Sequence, residues 1–161
     1  MPAIATVGVY GWTHEDWLEA LRDADVRLVV DVRQRRGVRG REYSWANAQR
    51  LEASLVASGI SYEHRKELAP TTELRQLQYR EDDRLGVGKR SREGLAPEYV
   101  ERYTREILGQ ADLRPIVEEL PPDGAAALMC VERDPEACHR SLVADRLASE
   151  FGFTVRHLRP A

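Results

Sequence analysis

Short apolar, largely β-branched runs recur along the chain at residues 4–9, 26–32, 60–64, 125–131 and 154–158, with the length and residue types of strands. Between them the apolar positions switch to helical spacing. Trp17, Leu18, Leu21 and Ala24 follow a Thr13 cap, and Ala48, Leu51, Leu55 and Val56 follow a Ser44 cap and end at Gly59. A helix opens at residues 70–73, carries Leu74, Leu77 and Tyr79, and loses its pattern at Asp82 and Asp83. Pro97 starts another through Tyr99, Val100, Tyr103, Ile107 and Leu108, and a short helix spans 112–120 with Pro115 early, where a missing N–H matters least. A last helix covers 140–150 and closes at Gly152. Strands alternating with helices predict an α/β fold: a three-layer α/β/α sandwich around a mostly parallel sheet of about five strands. The nearly unbroken run VRLVVDV at 26–32 suits a strand covered on both faces.

With 161 residues the chain has the size of one α/β domain over 1–161, able to bury about 70% of the surface of its unfolded form. No apolar run approaches the ~20 residues that span a bilayer, and the start lacks a basic segment and a long apolar core, so a cytoplasmic location is expected. Two cysteines without an export signal are expected as reduced thiols.

Where the periodicity fails, arginine takes over. The net charge of −3 argues against a general polyanion binder, yet apart from Lys66 and Lys89 all 24 basic residues are arginines, which suit bidentate recognition of phosphate and carboxylate. Five of them, Arg33, Arg35, Arg36, Arg39 and Arg41, crowd into the connection after the second strand. Like charges so close together repel unless a counter-ion is present, so the loop is expected to bind an anion. A second glycine-rich stretch, residues 84–97, carries Lys89, Arg90 and Arg92 and reads as a mobile basic loop, with Lys89 as a further substrate-binding candidate.

The stretch ALMCVERDPEACHRSLVADRLA at 127–148 reads as a buried strand, a short charged loop and a helix opening with Cys138, His139 and Arg140. Free N–H groups at a helix start favour an anion, and a cysteine there, beside an imidazole and a guanidinium, is favoured as thiolate. Cys138 and His139 are therefore the catalytic candidates and Arg140 a substrate-binding one, because a cation opposes the helix dipole unless an anion or a carboxylate such as Glu132 or Asp134 answers it. Asp31, flanked by valines, needs a partner and is assigned an orienting role, as is Glu132; Cys130 reads as core. Cys130, Cys138 and His139 match none of the common structural zinc spacings, so neither a metal nor another cofactor is expected.

In an open parallel sheet, ligands bind beyond the carboxyl ends of the strands. Tyr10, the Arg33 to Arg41 loop, His64 with Arg65, and the segment from Cys130 to Arg140 all follow strands and are expected on one edge, with Tyr10, Arg33, Arg36 and Arg39 binding substrate.

These residues resemble the bacterial and archaeal family called domain of unknown function 488 over almost the whole chain. The likeness rests on Thr6-Val7-Gly8, on the VDVR strand end at 30–33 and, most specifically, on C-x-E-x-x-P-x-x-C-H-R-S at 130–141. GVYG, RGVRG-x-EY and GVGKR are similar to one subgroup. Many relatives carry a His just after the opening T-[IV]-G, whereas Val9 and Tyr10 stand here, so chemistry assigned to that His does not carry over. The resemblance implies a compact α/β fold and supports the Cys138-His139-Arg140 site without supplying a reaction. The expected function is an enzyme acting on a phosphorylated or otherwise anionic substrate, nucleotide or nucleic acid included. The alternative is a noncatalytic module that binds nucleic acid or another anion and keeps its thiol for structure. Either way the expected partner is an anionic small molecule or a nucleic acid, and no membrane.

Overall fold

The computed structural model describes residues 3–88 and 91–161. Its strands are β1 (Ala3–Val7), β2 (Val26–Asp31), β3 (Ser61–His64), β4 (Ala125–Met129) and β5 (Thr154–His157). They form a sheet in the order β3-β2-β4-β1-β5 with every neighbouring pair parallel. All five carboxyl ends therefore lie along one edge, with β4 in the middle.

Helices cover both faces. The stripe of Trp17 and Leu21 on α1 (His14–Asp23) and that of Leu51 and Leu55 on α2 (Ala48–Ala57) pack on one face. The other face takes Leu74 and Leu77 of α3 (Thr72–Leu85), Tyr99 and Tyr103 of α4 (Pro97–Tyr103), Ile116 of α5 (Arg114–Glu118), and Val143 and Leu147 of α6 (Arg140–Phe151). The period-2 alternation of a strand divides β4 between the layers: Ala125, Ala127 and Met129 face α1 and α2, whereas Ala126, Leu128 and, just past the strand, Cys130 face the other four. In β2 a register shift between Val26 and Leu28 turns Val26 to the α1 layer, while Leu28, Val30 and Val32 face α3 to α6.

Local chemistry accounts for the element limits. Thr13 Oγ1 accepts the Asp16 N–H and caps α1, and Thr71 Oγ1 accepts that of Leu74 and caps α3. Gly86 and Gly152 end α3 and α6 with left-handed backbone. Three expectations need correction. Ser44 does not cap α2; it lies in a 3-10 turn, Arg41–Ala46, that seats Trp45 against Trp17 at 5.2 Å, and Asn47 takes the cap position. Val56 is 63% exposed and lies off the α2 stripe. The α3 helix runs through Asp82 because the buried carboxylate is answered by Gln78 and Arg92 and so need not leave the helix for water.

No helix among the described residues is long and apolar enough to cross a membrane.

Candidate functional site

Beyond the carboxyl ends of β1, β2 and β4 lies a cleft of about 840 Å³. Tyr10 reaches it from β1, Arg33 to Arg35 and Gly37 to Arg39 from β2, and Cys130 to Glu132 with Ala137 to His139 from β4; α3 and α4 contribute Arg75, Tyr79 and Tyr99. The residues after β3 do not join this lining. His64 Nε2 bonds to the Arg33 carbonyl at 2.8 Å, and Arg65 turns to Glu63 and Glu119.

The loops after β1 and β4 are locked together by main chain. Val9 and Tyr10 both donate to the Val131 carbonyl at 3.0 Å. Gly8 permits this approach, since a Cβ there would stand 1.9 Å from the Glu132 carbonyl oxygen. Past β4 the chain makes a 3-10 turn, Pro135–Ala137, and leaves Cys138 extended (φ −137°, ψ 144°). The last helix begins only at Arg140, with His139 at its cap position, so Cys138 precedes the helix rather than opening it.

This places two thiols and an imidazole at the buried end of the cleft. Cys130 Sγ and Cys138 Sγ each lie 3.8 Å from His139 Nδ1. His139 Nε2 lies 2.8 Å from the Val32 carbonyl, which can only accept, so Nε2 carries a proton and Nδ1 is turned toward the sulfurs. Burial opposes ionisation of Cys138, but a hydrogen bond from Cys130, the adjacent imidazole and the Arg140 charge together hold it well below the ordinary thiol range. Its hydrogen bond to Cys138, then burial, pushes Cys130 far up, so the pair keeps one proton on Cys130. His139 is raised: burial opposes its charge, but the Cys138 charge, the hydrogen bond to Cys138 and the bond to the Val32 carbonyl together outweigh it. Tyr103 packs 5.5 Å from the imidazole ring and donates to the Leu68 carbonyl at 2.6 Å. The three side-chain donors all lie within 4.8 Å of one another, an arrangement able to hold a metal ion.

The arginines divide sharply. Arg140 is fully buried, and its partners are main-chain carbonyls, Glu132 at 2.7 Å and Arg133 at 3.3 Å, rather than an anion or a carboxylate. It is absent from the cleft lining, where a substrate-binding role would have put it. Arg33 lines the cleft, but its guanidinium clasps Asp31 through Nε and Nη2 (2.7 Å) and donates through Nη1 to the Ala46 carbonyl. Asp31 also accepts from Tyr62 Oη at 2.6 Å, and Arg36 donates to that hydroxyl at 3.4 Å, away from the cleft. Arg35 and Arg39 are the exposed arginines of this loop that line the cleft. Lys89 lies outside the described residues.

A family model described as domain of unknown function DUF488 matches residues 13–147. The chain belongs to the DUF488 family. The match takes in the cysteine-histidine segment and the arginine loop, and leaves Gly8 and Tyr10 outside it. No curated protein and no solved structure matches this DUF488 chain.

The sequence does not single out Arg75, Tyr99 or the anchoring of Arg92. Arg75 has the look of a surface residue on α3; in the fold it donates to Gln34 (2.6 Å) and Tyr79 (3.0 Å), both neutral, beside the cleft. Arg92 sits in what reads as a mobile basic loop, yet it is buried, doubly bonded to Asp82 and joined to the Ala137 carbonyl, which holds the residue before Cys138. The break in helical pattern at Asp82 was the available signal.

Proposed function

We propose that this protein is a thiol-dependent enzyme acting on a phosphorylated or otherwise anionic substrate, with Cys138 as nucleophile and His139 as its acid–base partner. One observation carries the reading: Cys138 Sγ and His139 Nδ1 stand 3.8 Å apart at the buried end of a cleft whose outer wall carries Arg35, Arg39 and Arg75. The arginines hold the anion and orient its electrophilic centre over the sulfur. Cys138 attacks as the thiolate, with its proton already on His139 Nδ1; a bond forms from Sγ to the electrophilic centre, and the bond to the leaving group breaks as that group departs with the electron pair and the proton from His139. Water then attacks the sulfur-bound fragment, giving a proton to His139 Nδ1 as the bond to Sγ breaks and its electron pair returns to sulfur, which restores the Cys138 thiolate and the protonated His139. Nucleotides and nucleic acids are the substrate classes whose charge and bases suit arginines beside Tyr10 and Tyr79.

Alkylation of Cys138 by iodoacetamide, followed by mass spectrometry with and without inorganic pyrophosphate, tests this. Pyrophosphate should slow the labelling, and Arg35→Ala with Arg39→Ala should remove that protection. Labelling indifferent to both would overturn the reading. Salt-sensitive binding of an oligonucleotide that is unchanged in Cys138→Ser, with labelling of Cys138 absent, would favour the noncatalytic binding module instead.

A further inference from the structure

The spacing of Cys130, Cys138 and His139 along the chain fits no common zinc pattern, yet the fold gathers their donor atoms around one point. We propose that these three residues form a site for a thiophilic divalent cation of the zinc class, with its fourth position open to the cleft.

Four observations support it. Both sulfurs are 3.8 Å from His139 Nδ1, and all three donor atoms lie within 4.8 Å of one another. A tetrahedral zinc ion, with bonds of about 2.3 Å to sulfur and about 2.0–2.1 Å to nitrogen, places sulfur and nitrogen roughly 3.6 Å apart and two sulfurs roughly 3.8 Å apart, so the ion needs shifts of only a few tenths of an ångström from the sulfur–nitrogen distances here. The imidazole is already oriented as metal-bound histidines are, its far N–H donated to a main-chain carbonyl, Val32 O at 2.8 Å. Main-chain bonds fix both cysteines: Cys130 N–H donates to Val7 O, and Ser141 donates through both N–H and Oγ to Cys138 O. Finally, two thiolates neutralise a divalent ion, which suits a buried position, and two sulfurs with one nitrogen select a soft cation over magnesium or calcium.

All three side chains line the cleft, which leaves the fourth ligand to water or to a cleft-bound group, the pattern of reactive rather than structural zinc sites. The site goes beyond the thiol enzyme described above and sets its condition. An ion on both sulfurs leaves no free thiol, so nucleophilic thiol chemistry belongs to the metal-free protein and thiophilic metal suppresses it.

Cobalt(II) titration of the full chain, first stripped with a chelator, reads the site directly. One ion per chain should bind with a near-ultraviolet sulfur-to-cobalt charge-transfer band and the strong visible bands of four-coordinate cobalt, and zinc should displace it. The isosteric variants Cys130→Ser and Cys138→Ser should each weaken the charge-transfer band, and the double variant, checked for folding by circular dichroism, should lose it. Absence of the band in the wild type, or cobalt binding that survives in the double variant, overturns the site. The two proposals separate cleanly. A sulfur-cobalt band with no alkylation of Cys138 in the stripped chain upholds the metal site and removes the thiol enzyme, and pyrophosphate-protected alkylation with no such band does the reverse.

Discussion

Arg33 and Arg39 leave the same strand six positions apart, and they meet opposite fates. Arg33 is buried with its donors committed to Asp31 and the Ala46 carbonyl, whereas Arg39 is exposed at the cleft. The same division runs through the molecule. Arg92 and Arg140 sit inside, holding the two ends of the segment between the cysteines, and Arg35 and Arg75 stand at the cleft with their charge available to a ligand. An arginine cluster is therefore two populations. The buried members set the shape of the cleft and the outer members its charge, because a guanidinium taken from water requires fixed acceptors, while one left in water keeps its capacity to bind.

That division can be broken at its strongest point first. Arg33→Ala strands Asp31, fully buried, without its bidentate partner, and should cost about 3–5 kcal/mol in urea denaturation. A loss below about 1 kcal/mol, as for an exposed pair, would erase the distinction between the two populations. Next, Arg140→Met leaves the Glu132 carbonyl without its 2.7 Å donor and should cost about 1–3 kcal/mol by the same measurement. Gly8→Ala, pressing a methyl group on that oxygen, should fall in a similar range of about 1–3 kcal/mol. In contrast, Arg35→Ala with Arg39→Ala should change stability by no more than about 0.5 kcal/mol per site while weakening pyrophosphate binding by calorimetry; a stability loss like that of Arg33→Ala would move these residues into the buried class.

The smallest effect probes the seam between the populations, where Tyr62 bridges Asp31 and Arg36. Burial, then the Asp31 charge, pushes the Tyr62 hydroxyl up to about 12 from 10.0. The folded protein thus holds this proton more tightly than the unfolded chain does. The resulting stability is complete below the ordinary tyrosine range and is lost as pH rises from about 10 toward about 12. Tyr62→Phe should remove that part of the alkaline slope, read from urea midpoints across the interval; an unchanged slope would assign it to other groups.

Most of the secondary structure was legible because it follows from periodicities that each segment carries alone. The apolar run at 26–32 and the helical stripe of Trp17 and Leu21 need no knowledge of their neighbours. The extension of α3 through Asp82 and the 3-10 turn under Trp45 were not legible, since both depend on partners distant in sequence or brought up by packing: Arg92 for the carboxylate and Trp17 for the indole. At the site, the sequence supplied the cysteine, the imidazole and the arginine loop as candidates. It left open which arginines face the cleft, because every arginine has the same local signature and only the position of acceptors in space separates them.

The chain's own pattern determined a parallel α/β fold whose strand ends lead into charged loops, and the residue types at 130–141 marked the cysteine-histidine segment as the candidate site. Tertiary structure alone decided that Cys130 is a partner of Cys138 as well as a core residue, that His139 turns Nδ1 toward both sulfurs, and that Arg140 braces the loop from inside. The reason is physical. Periodicity is a local property of a segment, whereas a hydrogen bond, an ion pair or a shared coordination point forms between groups whose distance is set only when the sheet closes around them.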